Sequence, residues 1–448
     1  MRVCVIGSGV GLLAAAHYAA RSGADVVVAP VHRQVSPDEQ LFEEGGEHFA
    51  CFHDPVRSTD VSLLAWLDEL GLLRDVAWRD ASFAIYDREL RRYVEAPTGL
   101  LAGDRLGLAS RARAYLSLRR WLSRAPLSGD TSIGCWLERH AGTLAARRIA
   151  RPLLTAACGE GAYELRAHVA QLLARSTFSR QGHRRWLRNG LASSLAEVRG
   201  RLATQGVRFH PGGHVQSLRP GVHGAGVRVA LGLREEVFDA VVATGPPGDW
   251  SKLFAEGGED EVLQRIGEPS PTGALSVVAL VRGAPPLPFR EVLVYSSEGE
   301  PLSWVHCPAP CRPASQTGSG LYPVYLTHRG PSHLGSFRAA DSVWEGRARR
   351  TLHLLSAGRL DAMIETVRIF RARSIDVPLM SREPETRLPL RLGSCPVFLS
   401  TADRQPIRPS GPEAAVMAAR EACGALAHLE PARPRATPNA PLRGERRP

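Results

Sequence analysis

The first thirty residues constrain the fold more than any other stretch of this chain. Arg2 to Ile6 is a short apolar run suited to a buried parallel strand, and Gly7-Ser8-Gly9-Val10-Gly11 follows it at once. Leu12 to Arg21 is rich in alanine and leucine without a breaker, which predicts a helix closed by Gly23. Ala24 to Val28 reads as a second buried strand. Strand, glycine turn, helix and strand in this order form a dinucleotide-binding βαβ unit. Gly7 permits the tight turn, Gly9 lets the backbone approach a pyrophosphate, and the helix N-terminus presents free N–H groups and partial positive charge to it. Ser8, Val10 and Gly11 complete the candidate cofactor contacts in the turn. Two positions depart from the pattern. The third glycine of G-x-G-x-x-G falls on Leu12, and the acid that binds a ribose at the end of the second strand falls on Pro30.

A chain of 448 residues is too long for one simple core and predicts two intimately joined domains. Hydrophobic content of 44% with 23% charge is that of a globular protein outside the membrane, and no apolar run has the length of a span. The net charge of +11 raises nucleic acid as a partner. The excess is arginine spread along the whole chain, Lys252 being the one lysine, and no basic-aromatic stripe accompanies it. Arginine-rich coding bias is therefore the preferred reading, with no nucleic-acid partner expected. The eight cysteines are scattered, which predicts reduced thiols and a cytoplasmic location. His306-Cys307 with Cys311 lacks the further ligands that tetrahedral zinc needs, so no metal site is expected. The strand at the very start leaves no room for a targeting segment ahead of it.

Along the chain, 31–44 reads as a polar loop and Ser58 to Leu70 as an amphipathic helix capped by Ser58 or Thr59. Phe83 to Tyr86 and Arg91 to Val94 suggest a hairpin. Helical patterns then dominate 105–180, with a kink or break expected at Pro152. The α/β texture resumes with a helix from Ala192 to Gln205, a strand near Phe209, and a buried strand from Asp239 to Thr244. Apolar β-rich runs at 275–282, 291–296 and 322–327 point to an antiparallel sheet, flanked by a helix over Asp341 to Leu355. Pro396 to Ser400 is a last buried strand, Pro412 to Leu426 a closing helix, and Glu430 to Pro448 a Pro/Arg-rich disordered tail. The interleaved textures predict a discontinuous nucleotide domain of 1–75, 182–260 and 385–428, a substrate domain of 76–181 and 261–384, and a tail of 429–448.

This order of parts resembles the flavin-containing amine oxidase, protoporphyrinogen oxidase and phytoene desaturase superfamily over about residues 1–428. Four stretches carry the resemblance: the opening βαβ; Glu44-Gly45-Gly46-Glu47-His48-Phe49 leading to the Leu-rich helix that ends in Glu69-Leu70-Gly71-Leu72; Gly206 to Val215 with Asp239-Ala-Val-Val; and Val397 to Asp403 with the Ala-rich helix. The resemblance implies an α/β fold with a Rossmann-like FAD-binding domain and an inserted α+β substrate domain. It also implies FAD, with Gly7 and Gly9 at the pyrophosphate, Val215 at the adenine by its backbone, and Ala402-Asp403 at the ribityl-phosphate region. His48 is the ionisable residue at a family-like flavin position and the candidate catalytic residue, its alternative role being a hydrogen bond to backbone. Besides Leu12 and Pro30, the family's Gly-Gly after the second strand falls on Ser36-Pro37, and Ala402 stands for a glycine.

The function this implies is an FAD-dependent oxidoreductase acting on a C–N or C–C bond of a small, largely apolar metabolite. Amine oxidases of the family often hold a lysine near the flavin, and Lys252, after a Pro-Pro turn, is not suitably placed for that role. Two rivals remain. One is a family member with a degraded FAD site that performs a non-redox cyclisation or isomerisation, or acts as a partner protein. The other is an NAD-dependent enzyme, for which Pro30 is equally unsuited.

Overall fold

The structure, a computed structural model, describes residues 1–31, 39–53, 56, 60–73, 82–94, 97–102, 106–123, 127, 131–159, 161–178, 190–210, 214–221, 226–245, 247–254, 272–297, 302–308, 319–331, 335–372, 389–392, 395–401 and 411–429. The chain opens with β1 (Arg2–Gly7), α1 (Gly9–Arg21) and β2 (Asp25–Pro30). A hairpin of β3 (Leu41–Glu44) and β4 (Glu47–Ala50) precedes α2 (Val61–Glu69). Next come β5 (Phe83–Asp87) and β6 (Arg92–Val94), then α3 (Leu108–Trp121), α4 (Ile133–Ala141), α5 (Arg151–Cys158), α6 (Ala167–Phe178) and α7 (Gly190–Thr204). Five strands follow: β7 (Arg208–Phe209), β8 (Val215–Pro220), β9 (Val227–Leu231), β10 (Arg234–Phe238) and β11 (Ala240–Thr244). The last part holds β12 (Thr272–Arg282), β13 (Glu291–Tyr295), β14 (Trp304–His306), β15 (Leu321–Pro331), α8 (Asp341–Ser356), β16 (Ile364–Ala372), β17 (Val397–Ser400) and α9 (Pro412–Leu426).

One layer is a parallel sheet in the order β17-β11-β1-β2-β7. Val3, Val5, Val26, Val28, Ala240 and Val242 turn to α1, α2, α7 and α9. The alternate residues Cys4, Ile6, Val27, Ala29, Val241 and Ala243 pack on a three-stranded antiparallel sheet, β10-β9-β8. Burial on both faces is why these strands read as unbroken apolar runs rather than alternating ones. Alanines let α1 and α9 approach closely, so that Cys423 Sγ donates to the Ala15 carbonyl at 3.4 Å.

The second large sheet has the order β16-β12-β15-β14-β13-β5-β6. Its neighbours are antiparallel except β5 and β13, which run parallel. One face packs on α8 through Trp344, Ala348, Leu352 and Leu355. The opposite face meets the helical block near β5 and β13, and the β3–β4 hairpin near β12.

Three expectations change. Residues 41–44 are a strand, not loop: Gly45 and Gly46, with φ of 61° and 76°, make a two-residue hairpin turn, and Phe42 packs on Phe49 across it at 5.6 Å. The helix after it starts at Val61, and the carboxylate of Glu413 accepts from Ser62 N at 3.0 Å and Leu63 N at 2.7 Å. Its first free N–H groups are therefore satisfied from α9; Ser58 and Thr59 lie outside the described residues. Pro152 does not break its helix. The helix continues through it, and the turn just before, Ala146–Ala150, widens to π-helix, the kind of local adjustment that accommodates a residue without an N–H. The expected tail, 430–448, lies outside the described residues.

Candidate functional site

The carboxyl ends of the five parallel strands make one edge, the place where open α/β sheets bind ligands. Gly7 ends β1 with φ +134°, Ser8 is the N-cap of α1 in an extended conformation, and Gly9 has φ +68°. The Ser8 hydroxyl makes no cap hydrogen bond, and neither an acid nor a base occupies the first turn of α1. The helix N-terminus thus keeps its electropositive character for a ligand. Next along the edge, Thr244 pairs in register with Ser400 across β11 and β17. Thr244 Oγ1 donates to the Ile6 carbonyl at 2.9 Å. The hydroxyls of Ser400 and Thr401, residues only 2% and 1% exposed, have no hydrogen-bond partner among the described residues. A buried hydroxyl without a partner costs free energy, so these two atoms mark a place where another polar group belongs. At the other end of the edge, β7 pairs with β2 and His210 N donates to the Val28 carbonyl at 2.9 Å. His210 therefore follows β7 level with Ala29, one residue short of Pro30, and its buried Nδ1 also has no partner among the described residues.

The turn residues Gly7, Ser8, Gly9, Val10 and Gly11 come together at this edge as the sequence predicts. Gly11 faces Thr244 and Ala415, with Leu12 in the core beside it. Val215 opens β8, pairs with Leu231, and buries its side chain between the β10-β9-β8 sheet and the parallel sheet. Ala402 and Asp403 lie outside the described residues. His48 is exposed on β4 opposite Glu43, on the hairpin face away from Phe42 and Phe49.

Five residues beyond it, His53 joins a buried polar strip that the sequence did not reveal. Its ring stacks on Tyr325 at 5.0 Å and lies 5.6 Å from His306, whose own ring stacks on Trp304 at 5.0 Å. Glu291 Oε1 is 3.8 Å from His306 Nδ1, with both side chains almost fully buried. In register, Glu291 lies opposite His306, His306 opposite Tyr325, and Ser276 opposite Thr327. The strip occupies the sheet face opposite α8, between the hairpin and the helical block. A paired carboxylate and imidazole in so dry a place can hold or move a proton and fix a polar group of a ligand. Val305 faces α8 while Trp304 and His306 point away from it, but this alternation alone does not name their partners across the sheet.

No protein-family model matches the sequence, and no curated protein matches it. Among solved structures, a protein of Exiguobacterium sp. 255-15 assigned as a protoporphyrinogen oxidase superposes with a TM-score of 0.71 at 16% identity, covering 95% of this chain and 98% of its own. Cyclohexylamine oxidase of Brevibacterium oxydans IH-35A gives 0.69 at 15%, covering 95% and 98%. A putrescine oxidase bound to putrescine gives 0.68 at 12%, covering 95% and 99%. The chain shares the fold of these structures, a mixed α/β architecture with a Rossmann-like parallel layer and a second, α+β part.

Proposed function

We propose that this protein is an FAD-dependent oxidoreductase acting on a C–N or C–C bond of a small, largely apolar metabolite. The observation that carries the reading is the pair of partnerless buried hydroxyls, Ser400 and Thr401, in the same strand-end row as the Gly7–Gly11 turn. The residues present fit a dinucleotide at its phosphate end: the α1 N-terminus and the two hydroxyls supply donors for anionic oxygens. At its ribose end Pro30 supplies nothing, and His210 Nδ1, on the neighbouring strand level with Ala29, would offer a hydrogen bond in place of the usual carboxylate. Bound FAD would supply the redox chemistry by accepting a hydride or an electron pair from the substrate. On the protein's side, the aromatic rings of Trp304 and Tyr325 would orient an apolar substrate, while Glu291, His306 and His53 hold or move its proton. We assign the nucleotide domain to 1–75, 182–260 and 385–428 and the substrate domain to 76–181 and 261–384. Cys4, Cys51, Cys135, Cys307, Cys395 and Cys423 are free, in keeping with a cytoplasmic location, and no helix among the described residues is long and apolar enough to cross a membrane.

The test is the absorption spectrum of the purified protein together with an FAD titration followed by thermal unfolding. A visible flavin band, or a rise in Tm with added FAD, is the expected result. Neither band nor shift at saturating FAD would overturn the reading. The second reading, a non-redox activity on the same fold, is favoured by one observation, Pro30 at the ribose position, and would then take its place.

A further inference from the structure

On the α8 side of the seven-stranded sheet, away from the polar strip, lies a cleft of about 520 Å³. Three elements enclose it: Arg88 from the β5–β6 turn, Arg349, Arg350, His353 and Leu354 from α8, and Asp361 with Ile364 at the start of β16. Its charge is unbalanced. Asp361 is the single carboxylate among the described residues of the lining and is engaged by His353 Nδ1 at 2.7 Å. Arg349 bonds Glu345 one turn back at 2.9 Å, and Arg350 makes no ion pair with any described residue. Leu354 and Ile364 are half-buried and pack against the core beneath, so they give the cleft an apolar floor. Guanidinium groups recognise carboxylate and phosphate oxygens through forked, charge-assisted hydrogen bonds. An apolar floor beside them rewards a ligand that also carries hydrocarbon.

We propose that this cleft binds an anionic amphiphile, its carboxylate or phosphate monoester held by Arg350 and Arg349 and its apolar body lying over Leu354 and Ile364. The site is separate from the edge that would hold FAD, and the proposal does not depend on the redox reading.

The experiment is calorimetric titration of the full chain with octyl phosphate, inorganic phosphate and octyl glucoside. Saturable binding of octyl phosphate is expected, with both inorganic phosphate and the uncharged octyl glucoside weaker by about tenfold or more. Arg349→Ala/Arg350→Ala removes two exposed side chains, so its Tm should match the wild type while affinity for octyl phosphate falls about ten- to a hundredfold. Leu354→Ser should weaken octyl phosphate and leave inorganic phosphate unchanged. Flotation with phosphatidylcholine vesicles containing phosphatidylglycerol separates the two sources of the head group: wild-type flotation that the double variant loses assigns it to a lipid surface, and binding without flotation assigns it to a free metabolite. Absence of saturable binding, equal binding by the double variant, or equal binding of octyl glucoside would overturn the proposal.

Discussion

Gly7 and Thr244 approach so closely that a Cβ on Gly7 would fall 2.1 Å from Thr244 Oγ1 and 2.5 Å from its carbonyl oxygen. The first glycine of the turn is thus demanded by the neighbouring strand, before any ligand is considered. Gly11 is different, since a Cβ there would sit 3.6 Å from Thr244 and Ala415, in ordinary contact. Gly7→Ala, which also meets a φ of +134°, should destabilise by roughly 2–4 kcal/mol through strain and overpacking. Gly11→Ala should stay within about 1 kcal/mol of the wild type, its gain in helix propensity offsetting small adjustments. Urea unfolding of both variants checks this, and a fully stable Gly7→Ala would contradict it.

At the ribose end of the edge, Pro30→Glu restores a carboxylate that can make charged hydrogen bonds of roughly 1.5–3 kcal/mol, so FAD should bind about ten- to a hundredfold more tightly. His210→Ala removes the partnerless Nδ1 and should weaken FAD. Gly9→Val should abolish binding, because it fills the space through which the backbone approaches the pyrophosphate. Flavin fluorescence titration ranks the variants, and an unchanged affinity in His210→Ala removes His210 from the site.

Glu413 holds the N-terminus of α2 from the far end of the sequence. Glu413→Ala leaves two N–H groups without their acceptor and should cost roughly 1–3 kcal/mol, whereas Glu413→Gln keeps one acceptor oxygen and should cost less. Equal stability of all three proteins in chemical denaturation would show that water replaces the carboxylate at no cost.

Burial lowers the pKa of His17, and its contact with Glu69 at 3.2 Å pulls the other way without prevailing. The folded state therefore favours neutral His17. Its contribution to stability is fully present above the ordinary histidine pKa and is lost as pH falls through the lowered folded value. Burial alone would raise the Glu69 pKa, but hydrogen bonds from Arg21 and His17 outweigh it and lower the value. That contribution is lost only further into acid, as the carboxylate protonates. Tm measured against pH should show the first loss in wild type and not in His17→Gln; identical profiles would refute the assignment.

How much was legible in advance depended on whether the signal was local. The strands of the parallel sheet announced themselves because burial on both faces makes each a continuous apolar run, as in Val26 to Ala29 or Val241 to Ala243. The glycine turn did so because φ above zero at Gly7 and Gly9 excludes most other residues. The hairpin at 41–50 was hidden because the face that carries Phe42 and Phe49 also carries Glu44 and Glu47, which breaks the apolar/polar alternation a strand normally shows. His48 followed from its place in a motif, but which face it shows is set by the two-residue turn at Gly45-Gly46, and that face is solvent. The polar strip could not be read along the chain. Glu291, His306 and Tyr325 become neighbours only through strand pairing, and His53 arrives from a different segment. Ser400 was read for the apolar residues before it, and nothing local distinguishes a hydroxyl that lacks a partner from one that has found one.

The position of β1 in its sheet dictates an order of events during synthesis. It lies between β2, which emerges from the ribosome at once, and β11, which begins only at Ala240; β17, beyond β11, waits until Val397. Until β11 emerges one edge of β1 has no neighbour, and until Pro412–Leu426 emerges the alanine face of α1 has no α9 to cover it. Such late, long-range closure slows folding and lengthens the time that apolar surface stays open to other chains. Docking of α9 on α1 is thus the step that closes this surface, and the chain stays open to other molecules until it occurs.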